Sequence, residues 1–153
     1  MPAITELEAE IAALRAENRA LTRTRDSQQL LLRAIAEYAP IVLYAKDRDG
    51  RFMLSNRLHA ELLGRAAHEV LGATEADLLG PEAAAEIQAV VDTVVASGIP
   101  HVAELSLELP SGPRVFLEHI FPLHGLEQID GIGGAAIDIT ERKQAEDAVR
   151  IFV

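Results

Sequence analysis

The sequence predicts an α+β fold in which a five-stranded antiparallel sheet carries helices on one face and follows a long amphipathic helix. Three observations lead there. Apolar residues recur in alternating steps of three and four at the start of the chain, residues 102–109 alternate strictly, and helical runs at 57–96 separate two β runs from three.

The first element starts at Ile4 and continues through Leu7, Ile11, Leu14, Asn18 and Leu21, an a/d seam with isoleucine at a and leucine at d. That choice favours parallel two-stranded coils, and an asparagine at a, here Asn18, fixes register at some cost in stability. Glu10 at g faces Arg15 at the following e across two such chains. The seam weakens where Arg25 and Gln28 take the next a and d positions, before Leu32 and Ile35 restore it. The polar residues Thr22, Arg23, Arg25, Asp26 and Gln28 predict a loosened stretch or hinge. The same pattern also fits one amphipathic helix folded back on its own domain. Pro40 should stop the helix, since its ring disfavours helical backbone at Ala39.

Residues 41–46 are β-branched and aromatic, Asp47-Arg48-Asp49-Gly50 turns the chain, and 51–55 return it, which reads as a hairpin. Short helices follow over 57–63, stopped at Gly64, and up to Leu71 before Gly72, with one more turn at 74–79. Pro81 is placed to open a longer helix over 82–96, on which Ile87, Val90, Val91, Val94 and Val95 form an apolar stripe. In the next strand Ala103, Leu105, Leu107 and Leu109 share one face and Glu104, Ser106 and Glu108 the other, the mark of a half-buried antiparallel strand. Ser111-Gly112-Pro113 turns, 114–123 returns, and 129–139 supplies the last strand. A final helix over 141–153 has Ala145, Ala148, Val149 and Phe152 on one face. About thirteen residues are marginal as an isolated helix, so this one should pack on a partner chain or feed a longer coil.

Composition sorts the function classes. The chain has 153 residues, 49% hydrophobic and 25% charged, with a net charge of −10, enough apolar surface for one folded domain with chain to spare. Residues 1–39 contribute −1 and 40–153 contribute −9, so a nearly neutral segment precedes an acidic one. Three parts result: a dimerisation helix at 1–39, a domain at 40–140 and a linker helix at 141–153. Nucleic acid is not an expected partner of so acidic a chain. Apolar runs fall short of a membrane span and acids stand where a signal peptide has a basic region, so a cytoplasmic protein without membrane contact is expected.

Cysteine is absent, which excludes disulfides, thiolate zinc sites and cysteine nucleophiles. His68-Glu69 lacks the second histidine of a metalloprotease helix, and Gly131-Ile132-Gly133-Gly134 lies within a strand with no Lys-Ser or Lys-Thr after it. The five histidines show no ligand spacing. No catalytic or metal-binding residue is predicted, and the chain is not expected to be an enzyme.

Element order and short motifs together resemble the PAS sensory domain family over about residues 30–145. The stretch from Lys46 to Phe52 with Ser55-Asn56 resembles its first hairpin, and Gly64 and Val70-Leu71-Gly72 resemble its short-helix stops. Asp77-Leu78-Leu79 with Pro81-Glu82 resembles the entry to its long helix. Glu104, Ser111-Gly112, Asp130-Gly131 and above all Asp138-Ile139-Thr140-Glu141-Arg142-Lys143 are similar to its C-terminal half. The resemblance implies a PAS-like sheet, a sensory or relay function in two-component or similar signal transduction, and an effector such as a histidine kinase or cyclase in cis or trans. A ligand-free module for dimerisation or protein interaction is the alternative. Asp138 and Thr140 become candidates for a joint between sheet and outgoing helix, Asp138 holding a basic residue of that helix and Thr140 capping it. A plain helix cap would use the same threonine.

In that family a small molecule or cofactor lies between the inner sheet face and the helices. Val115, Leu117, His119 and Phe121 share one face by alternation. If Leu117 and Phe121 face inward so does His119, a polar group able to orient a ligand. A strand-edge histidine bonded to water or backbone fits equally. Phe52, Leu54, Leu105, Val91 and Gly134 complete the candidate pocket. The small residues Gly131, Gly133, Gly134, Ala135 and Ala136 leave room for a bound molecule inside or a close helix outside. The missing cysteine removes thiol-linked chromophores, and the histidine-free helix 82–96 lacks the axial ligand of haem-binding relatives. No cofactor is assigned.

Overall fold

The computed structural model describes residues 3–109 and 111–152. The chain divides into two compact units, residues 1–38 and 39–153.

The first unit is one helix, α1 (Ile4–Tyr38). It runs unbroken through residues 22–28, where a hinge was expected: Thr24 Oγ donates to the Ala20 carbonyl at 3.1 Å, and no proline or glycine interrupts the run. Polar a and d positions weaken a seam without breaking the backbone ladder. Ile4, Leu7, Ile11, Leu14 and Leu21 are all exposed, as is Asn18.

In the second unit β1 (Val42–Asp47) and β2 (Phe52–Ser55) form the hairpin, and α2 (Arg57–Leu63), α3 (Ala67–Val70), α4 (Glu75–Leu79) and α5 (Pro81–Ser97) follow. Then come β3 (His101–Leu109), β4 (Gly112–His124), β5 (Ile129–Asp138) and α6 (Thr140–Ile151). Val153, included in the expected last helix, lies outside the described residues. The five strands form one antiparallel sheet in the order β2-β1-β5-β4-β3.

Cross-strand register fixes the faces, because residues directly opposite point the same way. Val42, Tyr44 and Lys46 of β1 oppose Ala136, Gly134 and Ile132 of β5, and Ile120, Glu118 and Phe116 of β4 oppose Gly134, Ala136 and Asp138. These are inner-face residues. With Phe52 they meet Ala60 of α2, Val70 of α3, and Val91 and Val94 of α5 in one apolar core. The helices α2 to α5 therefore lie on a single face of the sheet.

Two glycines of β5 are filled from within. A Cβ on Gly134 would fall 2.0 Å from the Tyr44 ring, and one on Gly133 2.4 Å from Phe121. Rings from the neighbouring strands take up that room, one on each face.

Candidate functional site

Alternation along β4 runs opposite to the orientation considered from sequence. Phe116 and Ile120 are buried in the core, so Leu117, His119 and Phe121 stand on the outer face, where His119 opposes Val102 of β3 and Ala135 of β5. Leu54 pairs with outer-face Ala45 and goes with them. Phe52, Val91, Gly134 and Leu105 are inner, although the helices leave Leu105 37% exposed. The structure thus divides the eight pocket candidates between the two faces.

Among the described residues, Tyr44, Lys46, His59, Glu75 and Glu118 bring polar groups together in the interior. Lys46 is 1% exposed, and its ammonium donates to both oxygens of Glu75 at 2.8 and 2.7 Å. Tyr44 Oη donates to Glu118 Oε2 at 3.3 Å. His59 Nδ1 lies 2.8 Å from Ser55 Oγ, while its ring stacks on Tyr44 at 4.8 Å between centroids and lies 5.1 Å from Phe52. The Lys46 ammonium stands 5.8 Å from the Phe52 centroid, within cation–π range.

Burial controls the protonation of this cluster. It lowers His59 to about 4, with the Lys46 charge acting in the same direction. Burial also raises Glu118, and raises Tyr44 with help from the Glu118 and Glu75 carboxylates. At neutral pH His59 is an uncharged ring and Tyr44 a neutral phenol.

Asn56 positions His59. It caps α2, its Oδ1 accepting from His59 N and Leu43 N at 3.0 Å each, and its Nδ2 donating to the Ile41 carbonyl at 2.7 Å. One 2%-exposed amide thus joins the start of β1 to the helix that carries the histidine.

The second constellation lies where β5 becomes α6. Thr140 does not cap α6; it occupies the first helical position. Its hydroxyl donates to Asp138 Oδ1 and accepts from Val115 N at 3.0 Å, and its own N–H donates to the same Asp138 oxygen at 2.9 Å. Asp138 pairs with Arg114 of β4 at 3.5 Å, not with a basic residue of α6, because the inner-face register carries its carboxylate toward that strand. Burial acts to raise the Asp138 carboxyl, but the two Thr140 hydrogen bonds and Arg114 bring it below its usual value. The basic residue that ties α6 down is Lys143, whose ammonium reaches Glu104 of β3 at 2.8 Å. Glu104 is outer-face, so α6 leaves on the side opposite α2 to α5.

A cavity of about 540 Å³ opens between the β1–β2 turn, α5 and the start of β5, and reaches Lys46. A second, of about 340 Å³, lies beside Arg114 and Asp138. Among the described residues no group of three or more His, Asp or Glu is arranged to hold a metal ion, and no helix is long and apolar enough to cross a membrane.

A family model described as PAS fold matches residues 37–144. The virulence sensor protein BvgS of Bordetella pertussis is 31% identical over 127 residues, covering 80% of this chain and 10% of BvgS. The structure of the BvgS PAS domain superposes with a TM-score of 0.64 at 28% identity, over 82% of this chain and 96% of that one. The aerobic respiration control sensor protein ArcB of Escherichia coli K12 is 26% identical over 130 residues, 81% of this chain and 16% of ArcB. The phage VqmA–DPO complex superposes with a TM-score of 0.67 at 23% identity, over 87% of this chain and 63% of that one, a likeness of fold. This chain therefore spans a small part of the length of the two sensor proteins BvgS and ArcB.

Proposed function

Because this chain belongs to the PAS fold family, we propose that it is a sensory or relay domain of cytoplasmic signal transduction. In this reading α1 pairs with its copy in a parallel dimer, a small molecule lies between sheet and helices, and the change it causes leaves through α6. An effector of the histidine kinase or cyclase class receives it.

The observation that carries the reading is the way α6 is held. Its first turn is fastened to three strands through Thr140, Asp138 and Lys143, while Val149, Ile151 and Phe152 beyond are 63–90% exposed. A helix held at its start and uncovered at its end suits an output segment, since movement of β4 or β5 is passed to an apolar face awaiting a partner. The exposed a/d seam of α1 supports the dimer, and the sensor proteins BvgS and ArcB carry the matched stretch.

Purified protein examined by absorbance and native mass spectrometry tests the ligand. A co-purifying small molecule, or a thermal shift in a metabolite panel, supports sensing; neither would refute it and leave a dimerisation module. Tyr44 filling the inner-face space over Gly134 favours that second reading. Deleting residues 1–28 should turn a dimer into a monomer by light scattering, and an unchanged oligomeric state would rule out the coiled coil.

A further inference from the structure

Lys46 sits where an anion is required at all times. Its side chain is 2% exposed, and a buried ammonium without a counter-charge is strongly destabilising. The anion present is Glu75, which comes from an element of little independent stability. The helix α4 has five residues and none fully buried, and it lies between Gly72 and Gly80, both at positive φ, +83° and +88°. Leu78 packs it against the core.

Space for a different anion adjoins the same lysine. The 540 Å³ cavity that reaches Lys46 has apolar walls from Val91, Val95, Ile129 and Ile132, and Asp47, Asp49, Asp92 and one further cation, Arg48, also line it. Such walls favour an apolar body, and the three aspartates, which outnumber Arg48, oppose a second negative charge.

We propose that Lys46 is a carboxylate-binding site that Glu75 occupies from within the chain, and that a monocarboxylate with an apolar body displaces Glu75 and releases α4. The proposal rests on the reading that the domain holds a small molecule, and names its class. Ligand and Glu75 exclude each other at one ammonium, so the ligand binds two arrangements of α4 unequally, which is what transmission requires. Gly80 and Pro81 connect α4 directly to α5.

Calorimetric titration with benzoate, benzamide, benzylamine and the dianion phthalate tests this. Wild-type protein should bind benzoate at least tenfold more tightly than the other three. Glu75→Gln, which lacks the internal competitor, should bind benzoate a further tenfold more tightly and gain more thermal stability from it than wild type does. The double variant Lys46→Met/Glu75→Leu replaces the pair by apolar groups, serves as the folded control, and should bind no benzoate. If Glu75→Gln does not fold, the contrast between wild type and the double variant decides. Benzoate binding that survives in the double variant, or is absent from wild type and Glu75→Gln alike, overturns the proposal and leaves a structural ion pair only. Should benzylamine or an uncharged metabolite bind where benzoate does not, the anion site falls and the sensory reading stands. No binding by any compound, with no co-purified mass, removes both.

Discussion

Two helices are tied to the sheet by charge, in opposite ways. Lys46 and Glu75 hold α4 from inside, with 2% and 11% of their side chains exposed. Lys143 and Glu104 hold α6 from outside at 30% and 50%, and Arg114 and Asp138 meet at 39% and 42%. Breaking half of a buried pair leaves a charge that no water can reach, whereas breaking an exposed one returns both partners to solvent. The interior tie should therefore govern whether the domain folds, and the exterior ties should govern where α6 lies with little effect on folding.

The sharpest way to break this contrast is Glu75→Gln. Loss of one partner of a buried pair costs about 3–5 kcal/mol, while replacing both by apolar groups is often neutral. Urea denaturation should place Glu75→Gln far below wild type and Lys46→Met/Glu75→Leu close to it. Equal destabilisation of the two would mean that α4 is held by packing instead.

Asn56→Ala comes next. It removes a helix cap and two further hydrogen bonds, one to Leu43 of β1 and one to Ile41 just before it, and cap loss alone is worth about 1 kcal/mol. With the part-buried Leu43 N–H and Ile41 carbonyl left unpaired, the midpoint should fall by an amount equal to about 2 kcal/mol. A loss within about 0.5 kcal/mol would show that water replaces the amide at no cost.

His59 gives the interior a pH dependence of its own. Its folded value of about 4 lies below that of an unfolded histidine, so the unfolded chain takes up the proton first as pH falls. Stability is undiminished above the unfolded value near 6.5 and declines between there and 4. From pH 7 to 5 the expected loss is about 2 kcal/mol. Glu118 is raised, so its contribution is present at low pH and is lost as pH rises through its folded value. That opposing slope is common to wild type and His59→Phe, so the difference between their urea curves at the two pH values isolates the histidine. Parallel curves would mean that His59 is charged in the folded protein.

The sequence made the scaffold legible and misdirected the interior, for a physical reason. The boundaries of α2 and α5, the strict alternation of β3 and the glycine stops follow from local chemistry, and the sheet follows from them. In β4 the run Val115-Phe116-Leu117-Glu118-His119-Ile120-Phe121 is apolar on both faces, so alternation defines two faces without saying which is inner. Cross-strand register decides it, through pairs such as Ile120 with Gly134 and Phe116 with Asp138. The Lys46–Glu75 pair spans twenty-nine residues, and no local pattern links a strand lysine to a short-helix glutamate. Asn56 left a stronger trace, as a capping residue immediately before a helical run. The joint was legible as a location, yet its partners were not: Thr140 points back at Val115, and the basic residue of α6 that matters meets Glu104.

The smallest expected effect on folding tests the solvent-exposed ties. Asp138→Ala removes two hydrogen bonds to Thr140 and the contact with Arg114, but it leaves the Thr140 hydroxyl free to accept from Val115 N. Partly exposed ties of this kind are worth about 1 kcal/mol or less. Hydrogen exchange should therefore speed up across residues 140–151 while the protection of β4 and β5 and the urea midpoint change little. Restoring only one arm should restore only part of the effect: Asp138→Asn keeps an oxygen for the Thr140 N–H and loses the charge opposite Arg114, so α6 should exchange at a rate between those of wild type and Asp138→Ala. If Asp138→Ala lowers core protection as much as that of α6, then sheet and helix unfold as one unit, and the division between an interior that sets stability and a joint that sets direction is lost.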